Sequence, residues 1–462
     1  SNESFYFYDV AADLLYDITK KDKLRVHFLT IYNDLEYQEN LSSSAGTSSK
    51  NSSLTQQSYA GNIIYRRNWN GSLTTNAQIY VSSYDLMAVN FDVRNNQRLI
   101  QENEVLDTGL KFDALWRINN NWDLLSGYQF QEIGIGNLEE INNPEFRRYI
   151  KQVIRTNVLF SEANFLSDNG KSNLRFGFRL NYHTKFPRFI AEPRISFNQK
   201  LSNHWSLEIQ GEFKSQTTAQ VIDLQNDFLG VEKRRWVLAD ESDVPIVTSK
   251  QGSAGFHYTK GGFLVSIEGY YKRVDGITTS SQGFQNQFQY VKSVGEYDVK
   301  GLEFLVNQQF DKVSAWAGYT YAINNYSFDS LSPPNFPNNL DITHAATAGT
   351  SIRINKLELS AGINWRTGKP YTQATGIIDN EIQYAAPNSS RLPNYFRADF
   401  SVRYNFNFSQ RVKGQVGGSV WNLTNNQNIF NIYYQIGKDG EVTEIRQAAL
   451  AITPNLMFRI KF

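Results

Sequence analysis

Apolar and polar positions alternate along most of this chain. In residues 5–18, every second position from Tyr6 to Ile18 is apolar or aromatic. The positions between them include three aspartates. The same period of two recurs in residues 173–182, 357–366, 397–408 and 456–462. Because successive side chains of a β-strand point to opposite faces, this pattern predicts strands with one apolar and one polar face.

The length of the alternating segments indicates where the apolar faces lie. Many segments run for ten to fourteen residues, whereas strands of soluble proteins average about five or six. A strand that crosses a bilayer needs about 9–11 residues. Length therefore favours apolar faces in lipid and polar faces on an aqueous lumen. The alternative is a soluble sheet with aromatic cross-strand pairs.

Short turns and long polar segments alternate between the predicted strands. The short turns are residues 19–23, 119–121, 167–172, 201–204, 259–262, 311–312, 355–356 and 409–411. The long polar segments are residues 38–57, 136–152, 219–247, 275–293, 329–343, 367–394 and 423–451. Outer-membrane barrels combine tight periplasmic turns with longer outer loops. We therefore predict an all-β, transmembrane antiparallel barrel with about 19 strands in this chain.

Composition excludes several other classes of protein. The 46 basic and 45 acidic residues give a net charge of +1, which offers no electrostatic basis for binding nucleic acid. The chain has no cysteine, so disulfides and thiolate metal sites are ruled out. Aromatic residues make up 14% of the chain, which favours strands. No apolar run approaches the roughly 18 residues of a membrane helix.

Signatures of catalysis and metal binding do not occur in the sequence. The five histidines lack metal-ligand spacing such as H-E-x-x-H. There is no P-loop and no G-x-S-x-G nucleophile elbow. We therefore predict no catalytic residue, no metal, no cofactor and no enzymatic activity.

Motifs in the second half resemble those of TonB-dependent outer-membrane receptors. The segments in question are FIAEPRISFNQKLSNHWSLEIQGEF (189–213), EYDVKGLEFLVNQQF (296–310), DITHAATAGTSIRI (341–354), WRTGKPYT (365–372) and VWNLTNNQNIF (420–430). Asp341 and His344 resemble the family's Asp-x-x-His at a strand start. Phe462 is similar to the terminal aromatic residue that serves as a membrane-assembly signal in barrel proteins. Within this family, the motifs resemble those of receptors from Bacteroidetes-type bacteria, including SusC-like relatives.

The resemblance implies a fold larger than this chain. Family members carry an N-terminal plug and a TonB box before a 22-stranded barrel, and neither is recognisable here. We therefore expect residues 1–462 to be the barrel domain of a longer receptor whose plug and first strands are absent from this chain. The expected location is the outer membrane. We expect the first residue at the outer rim and the C-terminus in the periplasm.

Two sets of residues are candidates for function. Charged residues on the polar faces are predicted to line the lumen, either solvated or facing a plug. These residues are Arg175, Arg179, Arg366, Arg397, Asp399 and Arg403. In residues 231–243 (VEKRRWVLADESD), Arg234 and Arg235 are candidates to hold anionic groups, and Trp236 is a candidate to stack on a sugar or aromatic ring. The favoured interpretation of this segment is a loop packed on its neighbours, because composition alone does not reveal loop function.

The function implied by the resemblance is TonB-dependent import of a scarce ligand. Siderophore, cobalamin, oligosaccharide and peptide all remain open as ligands. The implied partners are membrane lipid, the TonB–ExbB–ExbD complex acting through the plug, and a SusD-like or other surface lipoprotein. A plug-less porin or channel is one alternative. A structural or adhesive component of a larger outer-membrane assembly is another.

Overall fold

The computed structural model describes residues 2–43, 46–93, 95–223, 233–240, 242–409, 412–437 and 440–461. Within them the chain is almost entirely β-strand, and the one helix, α1 (Thr279–Gln282), has four residues. No helix in the described ranges is long and apolar enough to cross a membrane.

The strands are numbered in chain order. The first ten are β1 (Asn2–Asp17), β2 (Asp22–Ser43), β3 (Gly46–Asn68), β4 (Leu73–Asp92), β5 (Gln97–Arg117), β6 (Trp122–Asn142), β7 (Glu145–Leu166), β8 (Ser172–His183), β9 (Arg188–Lys200) and β10 (Trp205–Gln216). The next nine are β11 (Thr218–Asp223), β12 (Lys233–Leu238), β13 (Val247–Lys260), β14 (Phe263–Thr278), β15 (Val294–Gln309), β16 (Val313–Ser327), β17 (Asn335–Pro337), β18 (His344–Ile354) and β19 (Leu357–Arg366). The last nine are β20 (Pro370–Tyr371), β21 (Ala374–Ile378), β22 (Glu381–Tyr384), β23 (Ser390–Arg391), β24 (Tyr395–Asn407), β25 (Lys413–Trp421), β26 (Ile429–Ile436), β27 (Val442–Ala448) and β28 (Thr453–Lys461).

Most strands belong to one large antiparallel sheet. Twenty of the strands in the described residues are assigned to it, namely β1–β10, β13–β19, β24, β25 and β28. One of them, β17, has only three residues. Without it nineteen remain, each of nine residues or more, which we call the wall strands. The predicted all-β antiparallel fold is confirmed, and the wall strands equal the predicted number.

The chain divides into two compact units. Unit 1 consists of Ser1–Ile195, Glu212–Thr248 and Gly276–Gly283. Unit 2 consists of Ser196–Gly211, Ser249–Asp275 and Phe284–Phe462. In unit 1, the turn end is defined as the strand ends joined by residues 18–21, 69–72, 118–121 and 167–171, and in unit 2 as those joined by residues 310–312 and 355–356. The opposite strand ends are called the loop end.

The strands of unit 1 are longer than the sequence pattern predicted. Strands β2 to β7 have 20 to 23 residues each. The prediction of long polar loops at residues 38–57 and 136–152 is wrong. Strand β2 continues to Ser43, and β6 pairs with β7 up to Asn142 and Glu145. Each strand satisfies its neighbour's backbone groups, so polar residues on both faces are compatible with a strand that projects into water.

A band of apolar residues marks the part of unit 1 that crosses lipid. On β5, the apolar face runs from Trp116 to Leu106, which spans eleven residues and matches the length of a membrane strand. The next residues on this face towards the loop end are charged. They are Glu104 and Glu102, and Asp85 of β4 lies opposite Glu104 in the strand register. This charged row places the edge of the hydrocarbon layer, and the strands continue beyond it.

Large apolar side chains are far more often exposed than buried. Among the described residues, 68 large hydrophobic side chains are exposed, whereas 17 hydrophobic residues are buried. A soluble protein exposes apolar residues singly and rarely in large contiguous patches. A soluble sandwich, which buries one face of every strand, therefore does not fit. The exposed faces require a lipid environment.

Unit 2 combines short turns with long connections. Strands β18 and β19 are joined by residues 355–356, whereas residues 367–394 separate β19 from β24. That long connection contains two short pairings, β20 with β23 and β21 with β22. Residues 422–452 contain the hairpin of β26 and β27. These connections agree with the predicted long segments, and they carry the candidate sites of unit 2.

Replacing Ile79 by arginine tests which face contacts lipid. Ile79 is 67% exposed and pairs with Ile63 and Leu110 near the middle of the apolar band. An arginine there should lower the free energy of unfolding by about 2–4 kcal/mol. Urea unfolding in phospholipid vesicles, followed by tryptophan fluorescence, measures this. The control Gln78→Arg lies on the polar face and should cost under about 1 kcal/mol; equal losses would show the faces to be misassigned.

Candidate functional site

The predicted lumen-facing arginines of unit 1 have partners within the sheet. Arg179 donates to Asn181 Oδ1 at 2.9 Å and to Gln129 Oε1 at 3.1 Å, and it lies 3.7 Å from Glu192. Glu192 is 7% exposed and accepts two hydrogen bonds from Ser215, one from the backbone N–H at 2.8 Å and one from the hydroxyl. The glutamate of the Glu-Pro-Arg segment thus ties β8, β9 and β10 together.

Arg175, which lies on β8 like Arg179, also has an acidic partner. Its Nε lies 3.5 Å from Glu162 Oε1 on β7. Pairing of this kind keeps a charge on the polar face compensated while the opposite face meets lipid. Its orientation towards a lumen stays a prediction.

The charged candidates of unit 2 are also paired. Arg403 donates to Glu358 on the neighbouring strand at 2.5 Å. Arg397 lies 2.9 Å from Asp399, whose Oδ1 accepts the Asn422 backbone N–H at 2.9 Å. The Arg366 guanidinium stands 4.6 Å from the ring centroid of Tyr395. All of these groups share the polar parity of their strands.

The segment with Arg234, Arg235 and Trp236 forms a hairpin in unit 1. Strands β11 and β12, which we call the strap, pair from Thr218 with Leu238 to Asp223 with Lys233. Asn103 of β5 forms two hydrogen bonds with the backbone at the edge of β12. Its Oδ1 accepts the Trp236 N–H at 2.9 Å, and its Nδ2 donates to the Trp236 carbonyl at 3.3 Å. The side-chain amide thus replaces a neighbouring strand.

A hydrophobic cluster lies beneath the strap. Its buried members come from β6, β7, the connection after β8 and the end of the strap. They are Ile135, Ile154, Phe186, Leu238 and Ala239. Trp236 packs against this cluster. Its ring is therefore used at least partly in packing, as the loop-packing interpretation expected.

Arg234 is exposed and Arg235 is half-buried. They sit opposite Ile222 and Val221 of β11. Their role in ligand binding, like that of Trp236, stays a prediction.

The motif residues of unit 2 join three strand ends. Asp341 is 5% exposed; its Oδ1 accepts the Asn324 N–H at 2.8 Å, and its carboxylate is ion-paired with Arg391. The Thr367 backbone N–H donates to the His344 carbonyl at 2.9 Å, and the His344 backbone N–H donates to Thr367 Oγ1 at 3.1 Å. The predicted strand start and the WRTG segment therefore form one joint.

The WRTG segment has glycine at position 368 for a steric reason. A Cβ atom at this position would lie 1.6 Å from the carbonyl oxygen of Leu392, which leaves room for glycine alone. The Gly368 carbonyl accepts a hydrogen bond from Arg391 Nη1 at 3.2 Å. Backbone proximity at this point holds the long connection 367–394 against its own strand end.

Buried polar groups fasten the loops of unit 2 to one another. Thr372 Oγ1 accepts the Asn388 N–H at 2.9 Å and a hydrogen bond from Asn286 Nδ2 at 3.2 Å. Asn388 Nδ2 donates to the Pro337 carbonyl at 2.7 Å and to Asn339 Oδ1 at 2.8 Å. Because their polar atoms find partners, these side chains stabilise a defined loop conformation.

Five aromatic residues pack beside this polar network. They are Phe284, Phe288, Tyr326, Phe328 and Phe336, each 7% exposed or less. The rings of the other four lie 5.4 to 6.3 Å from that of Phe284, mostly edge to face. Together with the polar network, they give the loop end of unit 2 a core of its own.

Tyr434 lies on β26, in the segment NIYYQI (431–436) of a long connection of unit 2. Its hydroxyl donates to Glu444 Oε2 at 3.2 Å across the β26–β27 hairpin. Burial, the Glu444 charge and Tyr371 raise the pKa of Tyr434 to about 12. The phenol is therefore neutral at physiological pH and suited to hydrogen bonding rather than to proton transfer.

One group of carboxylates comes close enough to share an ion. Asp85, Glu102 and Glu104 place oxygens within 4.8 Å of one another, and this is the one such group in the described residues. They lie on the apolar parity at the charged edge of the lipid band. Half-buried acidic groups at a membrane edge do not by themselves make a metal site, and nothing further at this cluster points to a ligand.

The sequence identified the motif residues but not the hydrogen bonds between Asn103 and the Trp236 backbone. Asp341, His344 and Gly368 were recognisable from local patterns. Asn103 carried no signal, since it contacts Trp236 from 133 positions away. Phe462, predicted as a membrane-assembly signal, lies outside the described residues.

A family model described as "TonB dependent receptor-like, beta-barrel" matches residues 4–425. Among curated proteins, none matches the sequence. Several solved structures are similar in fold. One is the ferric citrate transporter FecA in its unliganded form, with 9% identity over 98% of this chain and 73% of that chain at a TM-score of 0.64.

Two other structures illustrate the range of similar proteins. The RagAB peptide transporter is 10% identical over 91% of this chain and 68% of that chain, at a TM-score of 0.63. A mutant of the ferric enterobactin receptor PfeA from Pseudomonas aeruginosa is 13% identical over 99% of this chain and 69% of that chain, at a TM-score of 0.64. At these identities, the likeness shows the fold alone.

Asn103→Ala should release the strap. The change leaves the Trp236 backbone N–H without its hydrogen-bond acceptor, at a cost of about 1–3 kcal/mol. Amide exchange at residues 233–238 should accelerate by about 5- to 150-fold. Hydrogen–deuterium exchange with mass spectrometry measures it. Asn137→Ala removes a 3.3 Å bond to the same carbonyl and the bond that Asn137 Oδ1 accepts from Asn103 Nδ2 at 3.0 Å. It leaves the Trp236 N–H bonded to Asn103 Oδ1, so it should have a smaller effect. A larger effect would show that Asn103 does not hold β12.

Asp341→Asn should loosen the joint in unit 2. The change removes the charge that holds Arg391, so the backbone near Arg391 opens more often. The rate of tryptic cleavage after Arg391 should rise by about tenfold, as expected for a lost charged hydrogen bond. Asp329→Asn, an exposed aspartate in the same connection, is the control. Unchanged cleavage in Asp341→Asn would show that the ion pair is not needed for loop order.

Proposed function

Because this chain belongs to the TonB-dependent receptor β-barrel family, we propose that it forms the wall of an importer that captures a scarce ligand outside the cell and passes it inward with energy delivered through TonB. Proteins of this family act in outer-membrane transport and are not enzymes. The observation that carries the proposal is the band of exposed apolar residues along strands that the family match covers. Such a wall separates lipid from an aqueous interior.

The polar faces support an interior filled by protein and water rather than a bare open pore. Arg179, Arg397 and Arg403 each have a carboxylate on their own wall. Paired charges of this kind present alternating donors and acceptors to whatever occupies the interior. We infer that a plug domain docks on these faces and that TonB acts on the plug.

The exposure of β1 supports the proposal that additional strands lie beside it. Every residue of β1 from Glu3 to Asp17 is exposed on both faces, whereas most described side chains of β2 are half-buried. A strand edge with unpaired backbone groups is not stable in hydrocarbon. We therefore propose that further strands, and the plug, belong to the same receptor, which fits the 22-stranded barrel expected from the resemblance.

The loop ends are the proposed capture surfaces. In unit 1 the strap holds Arg234 and Arg235 at the loop end, and in unit 2 the packed loops present Tyr434. We propose that these residues contact the ligand, with Trp236 shaping the surface from beneath. The proposed orientation puts this end outside the cell and β28 running towards the periplasm. A SusD-like or other surface lipoprotein is a proposed partner at the same end.

Dependence on energy tests the proposed function. Cells that carry the complete native receptor are given radiolabelled ferric enterobactin, cobalamin, maltohexaose and a tripeptide as separate probes. Uptake of the transported probe should fall more than tenfold when an uncoupler removes the proton-motive force or when the gene for TonB is deleted. Binding at the cell surface should persist under both conditions. Uptake that is insensitive to both treatments would instead identify a passive channel.

A further inference from the structure

A cavity at the loop end of unit 1 is not used by the features described above. It has a volume of about 500 Å³, within the range of ligand pockets. It lies between the connection that follows β8 and the residues that follow the strap. Its lining residues are Phe186, Pro187, Arg188, Asp240, Pro245 and Ile246.

The apolar floor of the cavity is held in place from two sides. Phe186 is 7% exposed and belongs to the cluster beneath the strap, and Ile246 packs against that cluster. Lys185 Nζ donates to the Ala239 carbonyl at 3.2 Å, which links the two walls of the cavity. Two of the lining residues, Pro187 and Pro245, restrict the backbone further. The floor is therefore pre-formed, which lowers the entropic cost of binding.

Arg188 and Asp240 place opposite charges on the lining. The Arg188 side chain is exposed and forms no hydrogen bond or ion pair with any described residue. Asp240 Oδ1 accepts the N–H groups of Ser242, Asp243 and Val244 at 2.7 to 2.9 Å. Its Oδ2 has no partner in the described part of the chain. The two side chains are not within ion-pair distance of each other, so each can meet a different group of a ligand.

The charge state of Asp240 is fixed by its own loop. Partial burial raises the pKa of the Asp240 carboxyl, but the hydrogen bonds from Val244, Ser242 and Asp243 outweigh burial and hold this pKa below its usual value. A depressed pKa means that the carboxylate, and the loop order it provides, is present at neutral pH and is lost only as pH falls through the depressed value. Asp240 therefore offers a fixed acceptor throughout the physiological range.

We infer that this cavity binds the carboxyl-terminal residue of a short peptide with an apolar side chain. The peptide carboxylate pairs with Arg188, the apolar side chain lies on Phe186 and Ile246, and a peptide N–H donates to Asp240 Oδ2. A fatty acid supplies the carboxylate and the apolar body but no N–H donor, and Asp240 would disfavour it. The inference deepens the proposed function, on which it rests, by naming the class of ligand.

Three matched peptides test the inference with the full chain purified in detergent. The probes are amino-terminally fluorescein-labelled Gly-Gly-Leu, the same peptide with a C-terminal amide, and Gly-Gly-Gly, each measured by fluorescence anisotropy. The amide should bind about 10- to 100-fold more weakly than the acid, the loss expected for a charge-assisted hydrogen bond. Gly-Gly-Gly should also bind more weakly, since it leaves the apolar floor unfilled.

Variants assign the effect to the cavity. Arg188→Gln should abolish the preference for the acid over the amide, and Arg188→Lys should retain part of it. Arg98→Gln removes another exposed arginine near the loop end of unit 1, outside the cavity, and should leave binding unchanged. Circular dichroism checks that each variant is folded.

The inference fails if acid and amide bind equally to the native chain, if Arg188→Gln binds like the native chain, or if no labelled peptide binds. These outcomes concern binding by the purified protein. They leave the energy-dependent uptake measured in cells untouched, so failure of the cavity and failure of the proposed function are distinguishable.

Discussion

Each wall strand pairs its backbone N–H and C=O groups with neighbouring strands, and in hydrocarbon no water is available to replace a missing partner. This requirement accounts for the uninterrupted registers from β1 to β8 and from β15 through β16, β18, β19, β24 and β25 to β28. It also explains the alternation along the chain. With the backbone fully engaged, only side chains distinguish lipid from interior, and the period of two assigns them.

At the loop ends the same requirement is met by side chains instead of strands. Asn103 pairs with the edge of the strap, Glu192 accepts a backbone N–H from the next strand, and Asp341 caps a strand end. In each case a carboxylate or amide satisfies a backbone group that the sheet leaves over. The loops are thereby held as extensions of the wall. A surface built in this way can present a ligand site without ordering its backbone at the moment of binding.

The sequence predicted the part of the fold that follows from local pattern. The alternation identified the apolar faces, and the turns gave the number of wall strands. Polarity misled the prediction at residues 136–152, because strands that project into water are polar on both faces and resemble loops. The clasp between Asn103 and Trp236 and the cavity beside Arg188 join distant segments, and no local pattern encodes such a contact. Motif residues such as Gly368 were recognisable, but their reason, a carbonyl 1.6 Å from the absent Cβ, required the structure.

Charge pairing separates cations that maintain the wall from cations available to a ligand. Removing Arg403 would leave Glu358, which has 16% side-chain exposure, without its closest partner, so Arg403 has a structural reason to be there. Arg188 has no such partner among the described residues, and its removal would leave no carboxylate uncompensated. Arg188 lines the same cavity as Phe186, Ile246 and the fixed acceptor Asp240. An exposed guanidinium that no carboxylate of the described residues compensates, beside an apolar cavity, is free to pair with the carboxylate of a ligand.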